Sequence, residues 1–222
     1  MQVNRLSPQA RAIFEDISKL DCIKDYCLIG GTALALQIDH RRSDDFDFCI
    51  WKKHRNDTVT INWSMIFKEL SSIGEVKHNI LGFDHYDFYL NGQVKITFFG
   101  NDTKEPENMQ KIRLHNNIVV ADPASIGVLK LDVMQYRSTH RDYYDLYSLL
   151  QMDISLESLI SRERKYSRYH FKTRNIVSLL VNGSIFLEDR NFAGLEPKYN
   201  VSIKDIENFM TEKVKELTQI TI

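Results

Sequence analysis

The rhythm of hydrophobic and polar positions changes along the chain. Ser7-Pro8 opens a helical stretch in which Ile13, Ile17 and Leu20 share a face, with proline at the first helical position. Residues 25–29 form a short apolar run ending on Gly30-Gly31, the pattern of a buried strand entering a turn. Residues 32–39, rich in Ala and Leu, predict a helix, and 41–44 a polar loop. From Asp45 to Trp51 the period becomes two, with Phe46, Phe48 and Ile50 on one side and Asp45, Asp47 and Cys49 on the other, which predicts a strand. Helical spacing returns over 62–73, where Trp63, Ile66, Phe67 and Leu70 are placed for burial. Segments 85–90 and 93–99 flank Asn91-Gly92, a two-residue hairpin signal, and 111–120 predict one more short strand.

Asp122-Pro123 then opens a region without a strand pattern. Helices are predicted over 126–150, about 171–180 and 203–217, the last with the stripe Ile203, Ile206, Met210, Val214 and Leu217. Asn182-Gly183 and residues 194–197 are breaks. The order predicts an α+β chain: a small mixed α/β domain over residues 1–122 and a helical domain over 123–222. With no internal repeat and no low-complexity linker, the second is expected to pack on the first.

Composition narrows the class. No run approaches the ~18 apolar residues of a bilayer span, and the polar N-terminus lacks an apolar leader core, so neither a membrane segment nor a signal peptide is expected. Three cysteines without metal-ligand spacing (Cys22, Cys27, Cys49) predict reduced thiols in a cytoplasmic protein. A net charge of -1 excludes overall attraction to nucleic acid, leaving only a local patch for that role.

The candidate chemistry lies between residues 30 and 48. Glycine lets backbone amides approach a phosphate closely, and amides at a helix N-terminus favour an anion. Gly30, Gly31 and the hydroxyl of Thr32 fit that role. Asp45 and Asp47, at i and i+2 on a strand, point to one face and suit Mg2+ or Mn2+, which take oxygen ligands and complete their shells with phosphates and water. Each motif alone is common; in this order, on a strand–turn–helix–loop–strand frame, they point to a nucleoside triphosphate and its metal. His40, Arg41 and Arg42 lie between them and either face the triphosphate or shape the loop.

In the helical region, one continuous helix over 126–150 would bring Lys130, Arg137, Arg141 and Asp145 within roughly 60–80° on one face, with Asp142 off it. Such a stripe serves either a triphosphate or RNA backbone, or is a solvated face with an Arg141–Asp145 pair; Ser138-Thr139-His140 is the place where the helix would break. Tyr143, Tyr144 and Tyr147 read as packing residues, with base stacking the alternative. Further on, Arg162, Arg164, Lys165, Arg168, Lys172 and Arg174 crowd together with Glu163 as their only acid and Tyr166, Tyr169 and Phe171 interleaved. That composition suits RNA, or a solvated helix face.

The run Gly30-Gly31-Thr32-Ala33-Leu34-Ala35-Leu36 through His40-Arg41-x-Ser43-x-Asp45-Phe46-Asp47-Phe48, followed by Lys130-Leu131, Arg137 and Arg141-Asp142-Tyr143-Tyr144-Asp145-Leu146-Tyr147, resembles the nucleotidyltransferase toxins of the AbiEii/AbiGii kind. These belong to the DNA polymerase β-like nucleotidyltransferase superfamily. The resemblance covers the first two thirds of the chain in order. It implies a minimal nucleotidyltransferase fold, a small twisted mixed sheet with flanking helices, followed by a helical region carrying part of the active site. It further implies that Gly30, Gly31, Thr32, Arg41, Ser43, Lys130, Arg137 and Arg141 hold the NTP and that Asp45 and Asp47 bind the metal. Lys130 would contact the triphosphate, and Asp142 or Asp145 would be the late acidic motif. The implied activity is transfer of a nucleoside monophosphate to an acceptor such as a tRNA 3′ end, by the toxin of a toxin–antitoxin or phage-defence system with a cognate antitoxin.

One departure stands out. Superfamily members with two-metal catalysis carry a third carboxylate on a neighbouring strand. Residues 94–99 offer Lys95 and Thr97 there. The third acid is then Asp87, Asp142 or Asp145, or else the protein works through one principal metal or holds nucleotide, RNA or a protein partner without turnover.

Overall fold

The computed structural model describes residues 1–54, 56–82, 84–168 and 172–220, the side chains of 79–81 and 218–220 excepted. The chain forms two compact units, Met1–Glu105 with Met109–Asp122, and Pro106–Asn108 with Pro123–Ile222.

The first unit is built on one mixed sheet of seven strands: β1 (Cys27–Ile29), β2 (Phe46–Trp51), β3 (Val76–Gly82), β4 (His85–Leu90), β5 (Val94–Asn101), β6 (Lys111–His115) and β7 (Ile118–Ala121). Their order is β3-β4-β5-β2-β1-β7-β6. Central β2 runs antiparallel to β1 and parallel to β5, and β1 runs parallel to β7. Three helices accompany the sheet: α1 (Pro8–Lys19), α2 (Gly30–Ile38) and α3 (Trp63–Ser71). Ser7 caps α1, accepting the Ala10 N–H, and Asn62 caps α3, accepting the Met65 N–H.

Period-two alternation divides the central strands. Phe46, Phe48, Phe88, Ile96 and Phe98 are buried on one face, where Phe48 stacks on Phe98 at 5.1 Å between ring centroids. The intervening residues, among them Asp47, Thr97 and Asp87, belong to the other face. The β4–β5 hairpin turns at Asn91-Gly92, both at positive φ (53° and 65°), but Leu90 pairs with Val94, so Gln93 joins the turn and it is longer than the two-residue form expected.

Further local expectations differ from the structure. Residues 76–82 are a strand where none was predicted, and 111–121 are two strands around Asn116 (φ 45°) rather than one. Gly30 and Gly31 are not a turn ahead of the helix; α2 begins at Gly30, which takes φ +72°. The three cysteines are buried and free, and burial pushes the Cys27 thiol up to about 12.

The second unit contains α4 (Pro123–Met134), α5 (His140–Leu150), α6 (Leu156–Tyr166), α7 (Thr173–Leu180) and α8 (Ile203–Ile220), with no strand among its described residues. Its core includes Ile126, Leu131, Tyr143, Leu146, Leu149, Leu159, Ile176 and Met210. A β-carbon on Gly127 would meet the Leu159 methyl carbons at 3.1 Å, so glycine sets the close approach of α4 and α6. The continuous helix considered over 126–150 is interrupted after Met134. Thr139 caps a new helix by accepting the Asp142 N–H at 3.3 Å. Tyr143 and Tyr144 are packing residues: Tyr143 stacks on Phe186 and donates to the Leu180 carbonyl, while the Tyr144 hydroxyl accepts the Tyr199 N–H. No described helix is long and apolar enough to cross a membrane.

Candidate active site

Two clusters hold the candidate residues, one in each unit. In the first, Ile29 at the end of β1 pairs with Asp47 in β2, so the chain turns into α2 directly over that aspartate. A β-carbon on Gly30 would stand 2.8 Å from Asp47 Oδ2, and one on Gly31 would stand 2.5 Å from an Arg41 guanidinium nitrogen. The two glycines thus keep the carboxylate and the guanidinium against backbone. Arg41 is buried and donates from Nη1 to the Arg42 carbonyl at 2.8 Å. Thr32 and Ser43 serve the loop between α2 and β2. Their hydroxyls share a 2.8 Å hydrogen bond, and Thr32 donates to the Asp45 carbonyl. They hold Asp45 in place.

Sheet register extends the acidic row. Asp47 is paired with Thr97 across β2 and β5, and Thr97 with Asp87 across β5 and β4. Thr97 occupies the neighbouring-strand position, and its hydroxyl donates to Asp87 Oδ1 at 2.9 Å. Lys95 Nζ lies 3.3 Å from Asp87 Oδ2. Burial works against the Lys95 charge, but Asp87, then Asp47 and Asp45, more than offset it and hold its pKa above the ordinary lysine value.

Among the described residues no group of three or more His, Cys, Asp or Glu side chains is placed to hold a metal. Asp47 on β2 and Asp45 in the loop immediately before it, rather than on the strand as expected, lie beside a glycine cradle that a side chain would fill, and their oxygens suit a hard cation that takes its other ligands from phosphates and water.

The second cluster is a buried ion network. Lys130 Nζ on α4 lies 2.7 Å from both Asp142 Oδ1 and Asp145 Oδ2 on α5, and all three side chains are buried. The i,i+3 spacing puts both carboxylates on one helix face toward one ammonium. Arg137 Nε donates to Asp142 Oδ2 at 3.0 Å and Thr139 Oγ1 to the same atom at 2.7 Å. Burial pushes the Asp142 carboxyl up, but Lys130, Arg137 and these hydrogen bonds outweigh it and leave it below the ordinary value. Arg141 is not part of the cluster: it pairs with Asp189, Nε to Oδ2 at 2.6 Å. The Thr139-x-x-Asp142 spacing is the sequence signal that locates this cap; Asp189 has no such signal.

The basic run is divided. Arg162 donates to the Glu107 carbonyl and to Ser125 Oγ, and Lys165 pairs with the Glu107 carboxylate at 2.7 Å. Arg164, Arg168, Lys172 and Arg174 are exposed. Tyr166 is buried, while Tyr169 and Phe171 lie outside the described residues.

Residues 11–220 match the family model described as the nucleotidyl transferase AbiEii toxin of a type IV toxin–antitoxin system. An uncharacterised protein of Aquifex aeolicus is 28% identical over 224 residues, 96% of this chain and 98% of its own. Among solved structures, JHP933 of Helicobacter pylori superposes with TM-score 0.54 at 17% identity, covering 97% of this chain and 96% of that one. MenT4, a nucleotidyltransferase toxin of Mycobacterium tuberculosis, superposes with TM-score 0.56 at 14% identity, covering 93% and 84%. These two likenesses are of fold.

Proposed function

The chain belongs to the AbiEii family of nucleotidyltransferase toxins, and we propose that it moves a nucleoside monophosphate from an NTP to an RNA acceptor such as a tRNA 3′ end, with Mg2+ or Mn2+ on Asp45 and Asp47. The single observation that carries the reading is the close approach of Gly30 to Asp47 and of Gly31 to Arg41 where β1 passes into α2 beside β2, with Thr32 of α2 donating to the Asp45 carbonyl. Nucleotidyl transfer asks a protein for positioning and charge neutralisation more than for covalent help. The bound cation would neutralise triphosphate charge. The first amides of α2 and the Arg41 guanidinium are suited to phosphate oxygens, and Thr32 and Ser43 fix the loop that presents Asp45. Lys130, Asp142 and Asp145 are assigned to the same reaction, with Lys130 on the triphosphate. The exposed part of the 162–174 segment is assigned to RNA. A cognate antitoxin, a role in phage defence and a cytoplasmic location complete the proposal.

A module that holds nucleotide or RNA without turnover is the second reading, favoured by Thr97 standing where a third acid would be. One experiment separates the two. Labelled NTPs are incubated with the protein, magnesium and total tRNA, beside Asp45→Ala and Asp47→Ala. Label transfer by the wild type and its loss in both variants is expected. Nucleotide binding without transfer under any NTP establishes the second reading.

A further inference from the structure

The face of the sheet that carries Asp47 also carries a cation. Lys95 and Thr97 are two residues apart on β5, so their side chains leave the sheet on one face, that of Asp47 and Asp87. Asp45 and Lys95 each immediately precede a member of the first pair of this register, Phe46 with Ile96. Asp87 is buried and fixed through its Oδ1 by the Thr97 hydroxyl, while its Oδ2 holds the ammonium at 3.3 Å. His85 Nε2, 3.5 Å from Asp87 Oδ1, is the other basic group at that carboxylate. The ammonium therefore has an anchor independent of Asp45 and Asp47, yet lies within their field.

We propose that Lys95, positioned by Asp87, is the resident counter-cation of the Asp45–Asp47 pair and tunes the site to take a divalent cation as its triphosphate complex rather than alone. This rests on Asp45 and Asp47 being the metal ligands. A fixed positive charge repels a free divalent ion and attracts a metal–triphosphate complex, whose net charge is negative. Asp87 keeps the lysine from collapsing onto the two ligands, and Thr97 keeps Asp87 in place.

The two effects have opposite signs, which gives the test. Binding of Mn2+ alone, and of Mn2+ with inorganic tripolyphosphate, is measured by calorimetry on wild type, Lys95→Met, Lys95→Gln and Lys95→Arg. Removing the charge tightens free Mn2+ by roughly fivefold and weakens the tripolyphosphate complex by a similar factor, both shrinking as salt is raised. Lys95→Arg stays near wild type. Affinities that are unchanged, or that move in the same direction in Met and Gln variants with an unaltered thermal midpoint, overturn the inference. Asp47→Asn separates the failures. Mn2+ binding that responds to Asp47→Asn but not to Lys95 leaves the ligand assignment standing and removes the role of Lys95. Binding that ignores Asp47→Asn, or no Mn2+ binding at all, removes both.

Discussion

Gly30 and Asp47 occupy one space: a β-carbon on the glycine would lie 2.8 Å from the carboxylate oxygen, and the glycine backbone sits at φ +72°. Two penalties therefore meet in Gly30→Ala. The left-handed backbone costs a residue with a β-carbon about 1–2 kcal/mol, and the methyl displaces the Asp47 carboxylate. The expected result is a modestly lowered denaturation midpoint with nucleotidyl transfer reduced at least about tenfold, because catalysis of this kind depends on placement. Transfer at wild-type rate in the alanine variant would detach Asp47 from the chemistry.

Lys130 is shared by two buried carboxylates, so its removal leaves them without their common cation. Breaking such a network by deleting one partner costs about 3–5 kcal/mol. Lys130→Met is expected to lose that much in denaturant unfolding, which alone would lower activity. Adding Asp145→Asn relieves one uncompensated charge and should recover part of the stability. If Lys130 also contacts the triphosphate, the double variant regains stability without regaining transfer. Recovery of both would make the lysine purely architectural.

The 162–174 segment divides by what each cation already touches. Arg162→Ala gives up hydrogen bonds to Glu107 and Ser125 and should cost about 1 kcal/mol of stability while leaving RNA affinity nearly unchanged. Arg164→Glu with Lys172→Glu should do the reverse, weakening RNA binding and flattening its salt dependence with little change in folding. Equal RNA affinity and equal salt slopes in the charge-reversed protein would remove this surface from the acceptor site.

What the sequence made legible follows the range of the interaction. Asp47 was readable because a one-residue slip would send Phe46 and Phe48 out of the core, so the alternation is strongly constrained. Asn91-Gly92 was readable as the place of the turn because left-handed backbone is needed at both residues, whereas its length was not, since Gln93 also leaves the ladder. Residues 76–82 carry no clean alternation, and they form a strand because β4 offers them an edge, which lies outside their own sequence. The Asn116 turn lacks the glycine that marked the other hairpin. In the helical unit the residue types of the Lys130 cluster were legible while their geometry was not. The face inferred from one continuous helix dissolved at the Thr139 cap, which turned Asp142 onto Lys130, and the partner of Arg141 is Asp189, far away in sequence.

Glu163 provides a pH test of the helical unit. Its carboxylate is fully buried on α6, and neither oxygen has a hydrogen-bond partner among the described residues. Burial, reinforced by the nearby Asp132 carboxylate and opposed by Arg164, pushes its pKa up to about 7. Asp132 is itself raised by burial, with the Ser167 hydroxyl pulling it back. The folded state therefore binds the Glu163 proton more tightly than the unfolded chain does. Stability falls as pH rises from the unfolded glutamate range through about 7, and is flat beyond it. The full difference is on the order of 3 kcal/mol. Glu163→Gln keeps the shape and cannot ionise, so it should be more stable than wild type by an amount of that order at pH 8, the gap closing toward pH 4.5. Denaturant midpoints at three pH values measure it. A gap that is the same at pH 5 and pH 8 would show that Glu163 finds its charge compensated in the folded protein.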